Sequence, residues 1–300
     1  MELTSRQRAI LYIIFSAFFF ALMNMFVRLS GDLPSIQKSF FRNFVAFFFA
    51  LIILLRSKEK FSFDKKNLPW FIGRSAFGTL GILCNFYAVD HLVLSDASIL
   101  NKLSPFFAIL FSFLILKERT TKAQAVAICV AFIGALFVVK PGFAGSDVLI
   151  PSLIGACGGM GAGMAYTMVR VLGQRGERGA VIVIFFSAFS CLVTLPYLII
   201  DFHPMSIGQL LALLGAGLAA TGGQFTITAA YSHAPAKEVS VYDYTQIIFA
   251  AALGLIFFGQ LPDILSVIGY CIIAGVAIFN YIYSNHLDKY RETVTAHHKQ

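Results

Sequence analysis

Polar residues come in short clusters along this chain, and long apolar runs lie between them. Ten runs of mostly apolar residues fall near 9–29, 35–55, 68–89, 93–116, 122–140, 149–172, 179–200, 207–231, 238–258 and 263–284. Each has the length of about 20 residues that a helix needs to cross roughly 30 Å of hydrocarbon. The pattern predicts an all-α membrane protein of ten transmembrane helices. The linking segments are short, and apart from the basic connector 56–67 and the polar tail 285–300 no segment could form a soluble domain.

The second half repeats the first. At a fixed offset of 142, Thr79, Gly81, Ala88, His91, Ser98, Phe107 and Ala108 match Thr221, Gly223, Ala230, His233, Ser240, Phe249 and Ala250, and Asp96 answers Glu238. Five helices per half is an odd number, so the second copy must enter the bilayer upside down. The expected layout is a first five-helix repeat over 1–142, an inverted second repeat over 149–284 and a cytosolic tail over 285–300.

Small-residue stripes run along some of these helices. Gly155, Gly159 and Gly163 mark the sixth, and Gly215, Ala219 and Gly223 the eighth. They let helix backbones approach closely. Ala123, Ala127, Ala131 and Ala135 form a similar stripe on the fifth, suited to a partner helix or to a second protomer in a homodimer.

The span from Pro105 to Glu118, ending in the run LKERT, the following Gln124 and Gly134, and the looser second copy resemble the EamA-type branch of the drug/metabolite transporter superfamily. The resemblance covers nearly the whole chain. It implies a secondary transporter with a cavity between two inverted halves, and does not imply which solute. Gln260 stands where the first copy has Glu118, so that acid is present once only.

Composition sharpens the reading. With 58% hydrophobic residues, 13% charged and a mean hydropathy of +0.79, the chain is too apolar for a soluble protein. The net charge of +8 does not indicate nucleic acid, because 17 of the 23 lysines and arginines fall at the two termini and in alternate connectors. By the positive-inside rule both termini face the cytosol. Arg6 and Arg8 precede the first run without a small-x-small cleavage site, so that run reads as a retained helix. A compact chain without a long outer loop fits a bacterial inner membrane. The five cysteines lie inside spans with no CxxC pair, which points to packing and to no metal site. Gly159, Gly161 and Gly163 lack a preceding strand and a following GK[ST], so no nucleotide is expected, and no cofactor of any kind.

Charges inside a span are costly and need a reason. Lys38 and Arg42 share one face of the second helix, with Asn43 beside them. Arg42 lies about 10 Å and Lys102 about 13 Å from the outer end of their helices. Facing the cavity, Arg42, Lys102 and the supporting Lys38 would suit a carboxylate or phosphate. Asn24, Asn85, Asn101, Gln224, Tyr244 and Gln246 would orient it. Alternatively Lys102 pairs with Asp243, since position 101 is the repeat equivalent of 243, and Lys38 snorkels outward. Asp243 either titrates, as proton coupling would require, or neutralises Lys102 or Arg74.

The expected function is alternating-access transport of a small organic anion, by exchange or proton coupling. An exporter of amino acids or other small metabolites with a neutral cavity is the second reading. His91 and Asp96 also match the HxxxxD spacing of membrane acyltransferases, but His233 and Glu238 repeat it on the opposite face, which one active site would not need.

Overall fold

The computed structural model describes residues 5–56, 62–117, 122–139, 146–234 and 242–297, and among them regular structure is entirely helical. The helices are α1 (Ser5–Leu29), α2 (Ser35–Arg56), α3 (Leu68–His91), α4 (Leu94–Asn101), α5 (Ser104–Leu116), α6 (Lys122–Val139), α7 (Ser146–Gln174), α8 (Gly179–Ile200), α9 (Ile207–His233), α10 (Thr245–Phe258) and α11 (Ile264–His297). Among the described residues six helical stretches are long and apolar enough to span a bilayer: Gln7–Leu29, Ser35–Arg56, Leu94–Leu116, Asp147–Gln174, Gly179–Ile200 and Ile207–Tyr231. Thr245–Phe258 and Ile264–Val276 are shorter apolar helices. Large apolar side chains such as Leu55, Ile199, Ile200, Ile207 and Ile264 are exposed on the outside of the bundle, where lipid would meet them. The polar tail continues α11 as helix as far as His297. Glu118 and Glu238, both part of the repeat pattern, lie outside the described residues.

The run 93–116 is one expected span but two helices. Pro105 has no amide hydrogen, and within a continuous helix its ring would collide with the carbonyl of Asn101. The chain therefore leaves helical geometry at Lys102 and restarts with Pro105 in the first turn of α5. The same interruption occurs 142 residues later at Tyr244, where no proline is present and Thr245 Oγ1 donates to the Tyr242 carbonyl at 2.7 Å. Other local features keep this offset. Lys117 ends α5 at φ +53°, and Gly259 ends α10 at φ +60°. His91 bonds the Tyr87 carbonyl and His233 the Ala229 carbonyl, both at 2.8 Å.

Helices pack as α1 on α9, α3 on α7, α2 on α8 and α6 on α11, with α5 on α7 and α1 on α10. The glycines of α7 explain how close these approaches are. A Cβ at Gly159 would sit 2.5 Å from the Leu100 carbonyl oxygen, and one at Gly158 would meet the backbone of Gly81 and Asn85 at 3.2 Å. Only a helix without side chains there can nest against both α3 and the α4–α5 break. α6 packs on α11, where a Cβ at Gly134 would meet Ile272 and Ile273.

Two apolar clusters pack the bundle on either side of its middle. Ala9, Ile13, Phe71, Leu172, Ile182, Tyr231 and Ala234 cluster at the end where α1 begins, called here the N-terminal face. Val27, Val89, Leu92 and Leu94, with Phe258 against them, belong to a cluster reaching the opposite face.

Candidate functional site

Between those clusters lies a cavity of about 60 Å³. Asn24 reaches it from α1, Arg42 from α2, Arg74 and Asn85 from α3, Asn101 from α4, Tyr166 from α7, Phe186 from α8, Gln224 from α9 and Gln246 from α10. Six of the residues singled out in the sequence thus meet in one place: Arg42, Asn24, Asn85, Asn101, Gln224 and Gln246. All but Asn101 are buried outright.

Arg42 is 1% exposed. Its guanidinium donates to Asn43 Oδ1 and, at 3.3 Å, to Gln224 Oε1. Asn43 is itself fixed, its amide donating to Ser190 Oγ at 2.8 Å and the Ser39 carbonyl at 2.9 Å. Arg74 approaches from α3, and a Cβ on Gly78 one turn later would run into its guanidinium. The Phe186 ring serves both arginines, with Arg74 Cζ 4.1 Å and Arg42 Cζ 5.5 Å from its centroid. Among the described residues neither guanidinium has a carboxylate within 4.0 Å, and the Nε of each is buried without a hydrogen-bond partner.

The amides complete the lining. Asn85 Nδ2 donates to Asn24 Oδ1 at 3.0 Å, which leaves Asn85 Oδ1 without a donor. Gln246 Oε1 is likewise buried and unpartnered. The cavity therefore offers guanidinium donors and free amide acceptors together.

Three expected site residues stand elsewhere. Lys38 is 2.6 Å from Asp90 Oδ1 and does not reach the cavity. Lys102 lies 2.7 Å from Asp243 Oδ1, behind the wall formed by its neighbour Asn101. Tyr244 Oη donates to the Lys102 carbonyl at 2.9 Å. Both buried lysines are neutralised because an unpaired ammonium in a dry site is too costly to keep. Arg74 is the main lining residue that counting from helix ends passed over. It starts about 9 Å from the N-terminal end of α3, and the length of its side chain carries the charge inward.

Polar contacts also bind the two faces. At the N-terminal face, Asn67 Nδ2 and the Asp64 amide both donate to Glu177 Oε1, at 2.6 and 3.0 Å. Arg175 donates to Asn67 Oδ1 at 2.9 Å and lies over the Trp70 ring at 5.3 Å. At the opposite face Arg28 donates to the Val89 and Leu92 carbonyls, Gln37 and His203 exchange two hydrogen bonds, and the Leu94 amide donates to Gln260 Oε1. The residues of the acyltransferase pattern are engaged otherwise. His91 stacks on Tyr87, and Asp96 accepts from Tyr270 Oη at 2.6 Å.

The sequence matches the EamA-like transporter family twice, over residues 7–140 and 153–282. The pseudopaline exporter CntI of Pseudomonas aeruginosa is 34% identical over 280 residues, which cover 93% of this chain and 97% of that protein. An uncharacterized transporter of Helicobacter pylori is 26% identical over 267 residues, covering 85% and 88%. A protein of known crystal structure, 14% identical, superposes with a TM-score of 0.67 over 93% of this chain and 98% of its own, and so shares the fold. The chain belongs to the EamA-like transporter family: it is a multi-pass membrane transporter and not an enzyme.

Proposed function

We propose that this transporter carries a small organic anion, a carboxylate or a phosphorylated metabolite, held by Arg42 and Arg74. One contrast supports the reading. The deeply buried lysines each have a carboxylate, whereas the two arginines at the cavity have none among the described residues. Paired guanidiniums on one aromatic ring grip an oxyanion through charge-assisted, bidentate hydrogen bonds. Asn24, Asn85, Asn101, Gln224 and Gln246 then set its orientation.

Alternating access between two inverted five-helix halves, over 1–142 and 149–284, accounts for the architecture. The α1–α9 and α3–α7 contacts are equivalent under exchange of the halves, as are α1–α10 and α5–α7, while α2–α8 and α6–α11 map onto themselves. The offset of 142 that relates the two helix breaks also supports it. At about 60 Å³ the cavity holds only a few waters, where ligand pockets run to about 300 Å³ or more. The surrounding helices must therefore move apart for cargo to be held there. Both termini are placed in the cytosol and the protein in a bacterial inner membrane, as the basic connectors and the Pseudomonas relative favour. The coupling is exchange or a proton.

A second reading is export of an amino acid or another small polar metabolite. The free acceptors Asn85 Oδ1 and Gln246 Oε1 favour it, since they would take N–H or O–H donors, and one relative is an exporter.

The experiment is a thermal-stability screen of purified protein against anionic, zwitterionic and cationic metabolites, followed by flux of the stabilising compound in proteoliposomes. Anions are expected to raise the melting temperature. Arg42→Gln or Arg74→Gln should weaken their binding by about 10- to 100-fold, the loss of one charge-assisted contact. Stabilisation by zwitterions alone, unchanged in both variants, would replace the first reading with the second.

A further inference from the structure

The two arginines stand at one end of the cavity, and an acceptor with nothing to accept stands at the other. Arg74, Gly78, Ile82 and Asn85 line the cavity from one face of α3, as their spacing of four, four and three residues allows. The Arg74 guanidinium extends one turn along the helix to Gly78, and the Phe186 ring shared with Arg42 keeps both charges at this end. From Gly78 to Asn85 the helix rises about 10 Å. The lining between is apolar, with Ile82 and, level with Gly81, Ala162 of α7.

The far end can only accept. The Asn85 amide hydrogens turn to Asn24 Oδ1, and Asn85 Oδ1 is left buried among the described residues with no donor. A bare buried acceptor costs stability, and a ligand hydrogen would remove that cost. Charge decides which donor fits. Among the described residues no aspartate or glutamate lines the cavity. An ammonium there would face neutral amides without a counter-charge, and two guanidiniums would repel it. A hydroxyl asks for an acceptor and nothing more.

We infer that the cargo is a hydroxy acid, with its carboxylate on Arg42 and Arg74, a short apolar middle beside Ile82, and a neutral hydroxyl donating to Asn85 Oδ1. This rests on the anion reading and narrows it. Allowing about 3 Å for a hydrogen bond at each end leaves roughly 4–5 Å between carboxylate and hydroxyl along α3. A four-carbon chain with the hydroxyl on its last carbon has that reach. A hydroxyl on the carbon beside the carboxylate does not reach Asn85.

Four acids with one skeleton test this: butanoate, 2-hydroxybutanoate, 4-hydroxybutanoate and 4-aminobutanoate. Each would be titrated against the melting temperature of the purified full-length protein at constant ionic strength and about pH 8, where carboxylates and amines are all charged. 4-Hydroxybutanoate should bind about tenfold or more tightly than butanoate, the gain from supplying a donor to an unpaired buried acceptor. 2-Hydroxybutanoate should stay within about threefold of butanoate, and 4-aminobutanoate should bind most weakly.

Two variants place the hydroxyl. Asn24→Leu combined with Asn85→Leu removes both amides together, so that neither is stranded, and should bind 4-hydroxybutanoate and butanoate within about twofold of each other. Asn85→Asp supplies the missing counter-charge and should reverse the order of 4-hydroxybutanoate and 4-aminobutanoate. Should Asn85→Asp not fold, the wild-type order and the double variant decide. The inference is overturned if butanoate or 2-hydroxybutanoate binds the wild type as tightly as 4-hydroxybutanoate, or if 4-aminobutanoate binds it best. A hydroxyl preference that persists in the double variant, or an unchanged order in folded Asn85→Asp, overturns it as well. Arg42→Gln separates this failure from that of the anion reading. If the variant weakens every carboxylate and the hydroxyl gives no advantage, the anion reading stands and the hydroxy acid falls; if it weakens none, both fall.

Discussion

Tyr244 donates its phenolic hydrogen to the main-chain carbonyl of Lys102 at 2.9 Å, and the two residues are 142 apart, equivalent positions of the two repeats. Each interrupts its helix. A helix break frees carbonyls that would otherwise be bonded within the helix, and burial forbids leaving them bare. The second copy's side chain satisfies the first copy's backbone.

Tyr244→Phe removes this donor and strands the carbonyl. The expected cost is about 1–3 kcal/mol, the penalty for an unsatisfied buried acceptor. Thermal melts in detergent should show a fall of a few degrees, with cargo selectivity retained. An unchanged melting temperature would mean that water replaces the phenol.

The glycines of α7 allow a sharper comparison. Gly159→Ala places a Cβ 2.5 Å from the Leu100 carbonyl oxygen, a main-chain atom that cannot swing aside, whereas Gly275 has nothing within 4 Å. The first substitution should cost about 1–3 kcal/mol or more through overpacking. Gly275→Ala should be neutral or slightly stabilising, because it lowers the entropy of the unfolded chain. Monodisperse yield and melting temperature distinguish the two.

Apolar run length made the all-helical membrane fold legible, since lipid demands long apolar helices whatever their role. The break at Lys102 was not read, although Pro105 carries its cause, because a hydrophobic run looks the same with or without a kink. At the site, the cost of polar groups inside apolar spans brought out Arg42 and the amides. Lys102 and Arg74 needed side-chain direction and reach, which a one-dimensional count lacks. Phe186, one of 32 phenylalanines, had no sequence signal. It is distinguished only by what lies on its faces.

Lys38 is expected to act through structure and not through cargo. Lys38→Met leaves Asp90 charged and partly buried, at 19% side-chain exposure, and should cost about 3 kcal/mol, the lower end for a broken buried pair. Adding Asp90→Leu removes the stranded charge and should restore most of that stability. Anion binding per folded molecule should be the same in the double variant and the wild type. A double variant that melts normally but no longer binds anions would return Lys38 to the site.

Glu177 takes two donors from the segment before α3, so it ties the two repeats together at the N-terminal face through contacts that are partly solvated. Glu177→Ala should raise acrylamide quenching of Trp70 severalfold at neutral pH. Such weak contacts are worth roughly 1 kcal/mol each, and losing two of them moves a closed population by about tenfold or more. Stability should change little, since the apolar layer behind remains.

Phe186 tests whether the two arginines work as a unit. Its ring faces both guanidiniums in a buried site, where a cation–π contact is worth about 2 kcal/mol. Phe186→Leu keeps the apolar volume and loses the ring's negative face, so both side chains gain freedom that bound cargo must then remove. Anion binding should weaken by about tenfold or more, and Phe186→Tyr should preserve it, because its ring carries the same quadrupole. The informative comparison is the triple variant Arg42→Gln, Arg74→Gln, Phe186→Leu against the double arginine variant. With both charges gone the ring has nothing to orient, and its replacement should then change anion affinity by less than about twofold, the coupling expected of residues in direct contact.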